Sequence, residues 1–424
     1  MKMFVCALVA SAALIGLAEG PVVSNVSLVQ SAENGLVEIT YDLAGSDAVV
    51  TLEIQEEVGG VWKTLTGEAF TDDFAGDAAV KVSVGTGKKV FWRPAIAGTV
   101  SARKYRPVLT AYPTDNPPDY MGVDLASGAL RFYSNSNTVP YGVKSRFWKL
   151  DRMLMRKIPA KGVVWRMGSP TTEKWRTANE EYPHKVRLTY DYYMAVYELT
   201  CRQSYMLSGY WHNVSTDGEQ TPPASVDEQV MPSGYWDLGP LQQSTNSKNP
   251  LIVLWSQTGV PSFDVPSEAE WEYACRGGTG TSCYGGNVTE WTADSAVNKT
   301  GARYNISTTA EVGYSKPNAF GLYDTIGNVY EWCRDPYTRG ADYTATFADG
   351  WEDGAVTENP EGPTTPVKYS GEYHYTYRGG CASKSDGEVG HACRAAQRNE
   401  RYLWRAESST LGLRLMCRAE DVIK

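Results

Sequence analysis

The sequence is poor in the residues from which catalytic and metal centres are most often built. Its 424 residues include only four histidines, His184, His212, His374 and His391. No two of them lie three to five residues apart, and no two cysteines form a C-x2-C pair, so the usual structural zinc spacings are missing. None of the histidines sits in a nucleophile motif. Basic runs are also missing, and the formal charge is −9, which argues against nucleic acid as a partner. Beyond the N-terminus no stretch approaches the ~18 consecutive apolar residues of a membrane helix. Phenylalanine is sparse, at 9, against 13 Trp and 27 Tyr. Aromatics with a polar handle suit loop-rich folds, where the ring packs and its N–H or O–H satisfies loop backbone. Apolar residues at 42% and charged residues at 21% indicate a folded chain, long enough for two or three domains.

The first 20 residues read as a signal peptide. Lys2 supplies the positive start, Met3 to Leu17 is an apolar run, and Gly16-Leu17-Ala18 offers a small-x-small cleavage site. The expectation is an exported protein, periplasmic, secreted or at the cell surface; an uncleaved N-terminal anchor is the alternative. Removing the signal removes Cys6 and leaves Cys201, Cys275, Cys283, Cys333, Cys381, Cys393 and Cys417. In an oxidising compartment, seven cysteines allow up to three disulfides and one free thiol. Sequons stand at Asn25, Asn213, Asn287, Asn298 and Asn305, and chance accounts for them in a chain rich in Ser, Thr and Asn.

Residues 21–113 read as all-β. Alternating runs recur at Asn25–Val29, Leu36–Leu43, Val49–Ile54, Ala79–Val84, Lys89–Trp92 and Arg106–Tyr112, separated by Gly, Asp and Ser. Six or seven short strands in about 90 residues predict a β-sandwich of immunoglobulin or fibronectin type III kind. Pro113-Thr-Asp-Asn-Pro-Pro118 reads as an extended boundary, and residues 114–160 as linker and entry strands. Two helices are marked by capping boxes, Thr200-Cys-Arg-Gln203 and Ser267-Glu-Ala-Glu270. They run to Gly209 and to Gly277-Gly278.

Several strings then occur in order: Met167-Gly-Ser-Pro170, His184–Thr189, Tyr193-Met-Ala-Val-Tyr-Glu-Leu-Thr200, Pro266-Ser-Glu-Ala-Glu-Trp-Glu-Tyr-Ala-Cys-Arg-Gly-Gly278, Lys316–Trp332, Arg378-Gly-Gly380 and Leu411-Gly-Leu-Arg-Leu415. Together they resemble the formylglycine-generating enzyme (sulfatase-modifying factor) family over about residues 118–420, with the domain proper at 161–420. The resemblance implies an α+β, C-type-lectin-like fold with little regular secondary structure, preceded here by the all-β sandwich.

The resemblance also implies a structural Ca2+ held by side chains of Asp324 and Glu331 and carbonyls of Gly327 and Val329. Calcium takes six to eight such oxygens at flexible geometry. The bland reading is that the two carboxylates merely cap the turn. Family enzymes carry a Cys-x4-Cys-x4-Cys run in which the first two cysteines bind copper and the third forms a disulfide. Placing Cys393 third puts Ser383 and Glu388 at the catalytic positions; counting instead from Arg378-Gly-Gly380 puts Lys384 first. The copper pair is missing in either register. Cys275 and Cys393 match a disulfide of the family. Cys333, Cys381 and Cys393 are the remaining candidates for a substitute thiol pair, which would hold Cu(I) only if an active oxidase survives.

The expected function is therefore a non-catalytic or divergent family member that binds a polypeptide or another extracytoplasmic ligand. Loop aromatics at Ser208–Asn213 and Gly234–Asp237 suit such contacts, though they also suit satellite cores. The alternative is a copper and O2 oxidase that converts a sulfatase cysteine to formylglycine.

Overall fold

The computed structural model of the chain describes residues 20–31, 33, 35–94, 105–209, 250–290, 295–304, 309–338, 355–363, 368–369, 371–382, 389–402 and 411–423. The expected signal peptide, the aromatics at 210–213 and 234–237, Asn213, Asn305, Ser383, Lys384 and Glu388 lie outside these residues.

The first domain is a sandwich of two sheets. One is ordered β1 (Val22–Gln30), β2 (Val37–Ala44), β7 (Gly85–Trp92), β5 (Phe74–Gly76). The other joins β4 (Val61–Thr64), β3 (Ala48–Val58) and β6 (Val80–Val82), with β8 (Tyr105–Pro113) on the far side of β3. Alternation in the sequence sets the core. Val37, Ile39, Tyr41 and Leu43 of β2 are buried, while the residues between them are partly exposed. In β3 the alternation fails. Ala48 to Leu52 are buried on both faces because the second domain covers the outer one. Val49 joins the core of that domain, and the Thr51 hydroxyl lies 2.7 Å from that of Ser134.

The segment 113–118 is consequently no free spacer. Pro117 and Pro118 are buried, the Tyr193 hydroxyl donates to the Pro118 carbonyl at 2.5 Å, and the Lys157 ammonium holds Asn116 Oδ1 at 2.9 Å. Backbone bonds cross the junction from Phe132 N–H to Ala79 O (2.8 Å) and from Tyr141 N–H to Phe70 O (2.9 Å). One apolar cluster runs from Ile39 and Trp92 in the sandwich to Trp148, Val196 and Val329 in the second domain.

The second domain has few helices and several small sheets, the α+β layout the resemblance implies. Its main sheet is antiparallel, in the order β10 (Leu130–Tyr133), β9 (Tyr120–Asp124), β11 (Arg152–Ile158), β14 (Tyr192–Ala195), β21 (Met416–Arg418). A second sheet pairs β15 (Tyr330–Pro336) with β18 (Glu372–Arg378) and, in parallel, with β20 (Leu411–Gly412). The two capped helices form as their boxes predict. In α1 (Cys201–Ser208) Thr200 and Gln203 exchange both capping bonds, and Gly209 closes the helix at φ 71°. A further helix is α2 (Pro250–Thr258), whose Leu251 and Leu254 are buried. Among the described residues no helix is long and apolar enough to cross a membrane.

Candidate functional site

The centre of the second domain is built on α3 (Glu268–Arg276), capped by Ser267 and ended by Gly277 at φ 57°. Every residue of this helix is buried, although four of its nine residues are charged. Buried charges persist only when each is paired and its remaining donors and acceptors are satisfied. That requirement is met here by arginines from distant strands and loops. Arg378 donates Nε to Glu268 (3.0 Å), Nη2 to Glu272 (3.1 Å) and Nη1 to the carbonyls of Ala395 (2.7 Å) and Gln397 (3.2 Å). Arg398 adds two bonds to Glu268 at 2.5 and 2.6 Å. Burial alone would raise the Glu268 carboxyl; Arg398 and Arg378 outweigh it and hold the group at about 2. Glu270, on the other side of the helix, takes Arg334 (2.8 Å) and the Tyr190 hydroxyl (2.7 Å). Arg394 forks onto Glu181 with two 2.6 Å bonds and reaches Glu173 at 2.7 Å, fastening the segment after Cys393 to the loop 168–181.

Against α3 lies the turn that leads into β15. It reverses sharply, with positive φ at Asp324 (56°), Gly327 (85°) and Asn328 (60°). Gly327 is obligatory, because a Cβ there would stand 2.6 Å from the Arg303 carbonyl oxygen. The Asp324 carboxylate accepts the amides of Ser315 (2.8 Å) and Gly313. Glu331 accepts the Trp271 indole N–H at 2.7 Å and both arms of Arg414 at 2.7–3.2 Å. Glu198 completes the group. It accepts Asn328 Nδ2 (2.7 Å) and the Val329 amide (3.3 Å), and so carries the turn onto β14's end. Burial, then the nearby carboxylates of Asp324 and Glu331, push the Glu198 carboxyl well above its ordinary range. Three buried carboxylates thus face one guanidinium, that of Arg414. Asp324, Gly327 and Val329 stand on this turn and Glu331 on the strand that follows it. Both acidic members nonetheless already have protein donors, and among the described residues no group of three His, Cys, Asp or Glu side chains is close enough to hold a metal by itself.

Comparison with known proteins gives this arrangement its family. A profile of the sulfatase-modifying factor enzyme 1-like domain matches residues 156–419, more than half of the chain. The chain belongs to the sulfatase-modifying factor family. Over 137 residues it is 34% identical to the formylglycine-generating enzyme of Mus musculus, covering 28% of this chain and 34% of that one. Over 154 residues it is 33% identical to the formylglycine-generating enzyme of Thermomonospora curvata, covering 32% and 48%. The chain therefore spans about a third to a half of the length of these relatives. Among solved structures, Treponema denticola variable protein 1 aligns at 22% identity and a TM-score of 0.45, over 63% of this chain and 95% of that one.

In this sulfatase-modifying-factor domain the thiols are placed for packing. All seven described cysteines are buried, and none forms a disulfide. Cys275, Cys283, Cys333 and Cys393 share one apolar cluster with Trp271 and Ile326, whereas Cys381 belongs to another with Trp332 and Leu413. The expected bridge between Cys275 and Cys393 is not formed in this structure; the Cys275 thiol points instead at the Thr325 carbonyl, 3.5 Å away. Burial pushes Cys275 up to about 12 and Cys333 well above the thiol range.

Glu198 and Arg414, which complete the group at the turn, are not singled out by the sequence reasoning, though both stand inside the quoted strings. A signal exists. Each charge is flanked by apolar residues, in Val196-Tyr-Glu-Leu199 and Leu411-Gly-Leu-Arg-Leu415, and a lone charge in a buried run requires a partner.

Proposed function

We propose that this chain is an exported, non-catalytic or divergent member of the sulfatase-modifying factor family that binds a polypeptide or another extracytoplasmic ligand. The observation that carries the reading is the absence of a usable thiol pair. No cysteine occurs between Cys381 and Cys393, where the family's copper ligands belong, and the remaining candidates Cys333, Cys381 and Cys393 are each at most 4% exposed. A copper-activating site needs accessible thiolates, and a buried thiol with a raised pKa ionises poorly at neutral pH. The scaffold, held rigid by its ion pairs, leaves the loops around it as the variable surface. Export rests on Lys2 and the apolar run Met3–Leu17.

Calcium at the Asp324–Glu331 turn is part of this proposal. Asp324 and Glu331 would hold it with the carbonyls of Gly327 and Val329, and the excess of buried carboxylate over guanidinium supports a cation there. Bound calcium would neutralise charge and tie the turn to β15. The Cys275–Cys393 bridge is likewise proposed for the oxidised protein, on their membership of one cluster.

The deciding experiment is Cu(I) titration of the reduced, mature protein, with thiols mapped by alkylation and mass spectrometry. Absence of tight one-to-one binding is expected. Tight binding that protects two of Cys333, Cys381 and Cys393 would revive the oxidase and its formylglycine product.

A further inference from the structure

At the junction of the two domains lies a cavity of about 170 Å³ lined by Asp72, Asp124, Ser127, Arg131, Tyr133, Trp148 and Arg152, among others. Asp72 comes from the sandwich; all the others come from the second domain. One wall is aromatic. Gly122 lets the Trp148 ring stand against β9, since a Cβ at that position would lie 2.7 Å from the ring. The Trp148 indole N–H is spent on the Pro140 carbonyl at 2.9 Å, so the ring presents carbon to the cavity.

The polar groups are not equally occupied. Asp124 is committed: its Oδ1 accepts the amides of Ala126 (3.1 Å) and Ser127 (3.0 Å) and the Ser127 hydroxyl (3.0 Å), and Arg152 lies 3.1 Å from its Oδ2. Asp72 has only distant donors. Tyr133 Oη is 3.4 Å away, Arg131 Nη1 3.6 Å and Arg152 Nε 3.9 Å, all longer than a charge-assisted bond of about 2.7–2.9 Å. Its side chain is only 10% exposed. Burial accordingly holds the Asp72 carboxyl above its ordinary value despite both guanidiniums. Arg131 spends Nη1 on the Phe74 carbonyl at 2.9 Å. The cavity thus offers a carboxylate short of close donors, two guanidiniums a third exposed, and a carbon wall.

We propose that this junction cavity binds a small zwitterion of the α-amino-acid class. The ammonium group donates to Asp72, the carboxylate accepts from Arg131 and Arg152, and the aliphatic part lies against Trp148. Two carboxylates and two guanidiniums sum to no net charge, which matches a zwitterion. A simple anion would meet Asp72, and a simple cation would meet the arginines. Because Asp72 belongs to one domain and the arginines to the other, the bound molecule spans the junction.

The test is calorimetric titration of the full mature chain with L-alanine and, separately, with propionate and ethylamine, which each carry one of its charges. Saturable alanine binding in the millimolar range or tighter is expected, with both half-molecules weaker by about tenfold or more. Asp72→Asn and Arg152→Gln are expected to lose the binding by a similar factor. Ala129→Leu, an exposed position on the cavity rim, is expected to abolish it at an unchanged melting temperature, which keeps the test valid if the charge variants misfold. No alanine binding at millimolar concentration, equal binding of propionate, or full binding by Ala129→Leu would each overturn the proposal.

Discussion

Arg414 grips both oxygens of Glu331 from a position 83 residues later in the chain, and neither side chain is more than 1% exposed. Its remaining donors reach the carbonyls of Ala195 (2.9 Å) and Tyr323 (2.7 Å). One guanidinium thereby fixes β14, β15 and the turn before it. Removing one partner of such a pair leaves an unpaired buried charge. Arg414→Ala is expected to destabilise the protein by about 3–5 kcal/mol, read from chemical denaturation. Glu331→Gln, which keeps the shape and acceptor oxygen, should be milder than Glu331→Ala.

The response to pH has two opposing parts. Glu268 is held at about 2, below its unfolded value, so its contribution is complete above the unfolded carboxyl pKa and is lost as pH falls toward 2. Asp264 is displaced the other way, to about 6, by burial. Its contribution is complete below its unfolded pKa and is lost as pH rises through 6. These two groups together place the maximum near the unfolded carboxyl pKa, about pH 4, with stability falling from there toward pH 6. Asp264→Asn should flatten the alkaline side of that peak, and melting curves across pH 2–8 (buffers ~1 unit apart) test both limbs.

Calcium removal should lower the melting temperature if the Asp324 turn holds the ion, since a ligand bound only by the native state stabilises it. Glu198→Gln separates this from simple packing. Both its oxygens accept N–H donors and the glutamine can replace only one of them, so the chelated protein itself should be somewhat less stable. The same change should reduce the stabilisation that added calcium confers. A melting temperature indifferent to chelation would return Asp324 and Glu331 to the role of turn caps.

Thiol reactivity should follow burial. Cys275 and Cys333 are expected to resist alkylation in the native reduced protein and to react fully once it unfolds. In protein recovered from an oxidising compartment, a Cys275–Cys393 peptide is expected in the non-reduced digest. Recovery of both as free thiols would remove the proposed bridge.

The domains should melt as one. Phe132 packs in the same cluster as Val49 of the sandwich, and its amide donates to Ala79 across the junction. Calorimetry should show a single transition, and Phe132→Ala should lower it by about 3–5 kcal/mol of stability. Two separated transitions would show that the domains are independent.

The strands of the sandwich and both capped helices were legible because their causes are local. Alternation chooses the buried face of β2, and Ser267 with Glu270 starts α3 wherever that helix finally packs. Two short strands, β4 and β5, were not legible, since three or four residues carry no usable period. The double burial of β3 was visible as the run Ala48-Val-Val-Thr-Leu52 but had no interpretable partner. Only the covering second domain explains it.

By itself, the sequence marked the strands of the sandwich by alternation and two helices by their caps, and its ordered strings carried the family resemblance and with it the fold of the second domain, because such signals are local and need no third dimension to be read. The tertiary structure decided which charges meet. Glu268 finds Arg378 and Arg398 from more than a hundred residues away, Glu331 finds Arg414, and Asp72 is left facing two arginines it does not closely touch. A lone charge in a sequence announces that it needs a partner. Which partner it finds depends on strands that approach only after the core has formed, and the low dielectric of that core makes the pairing matter.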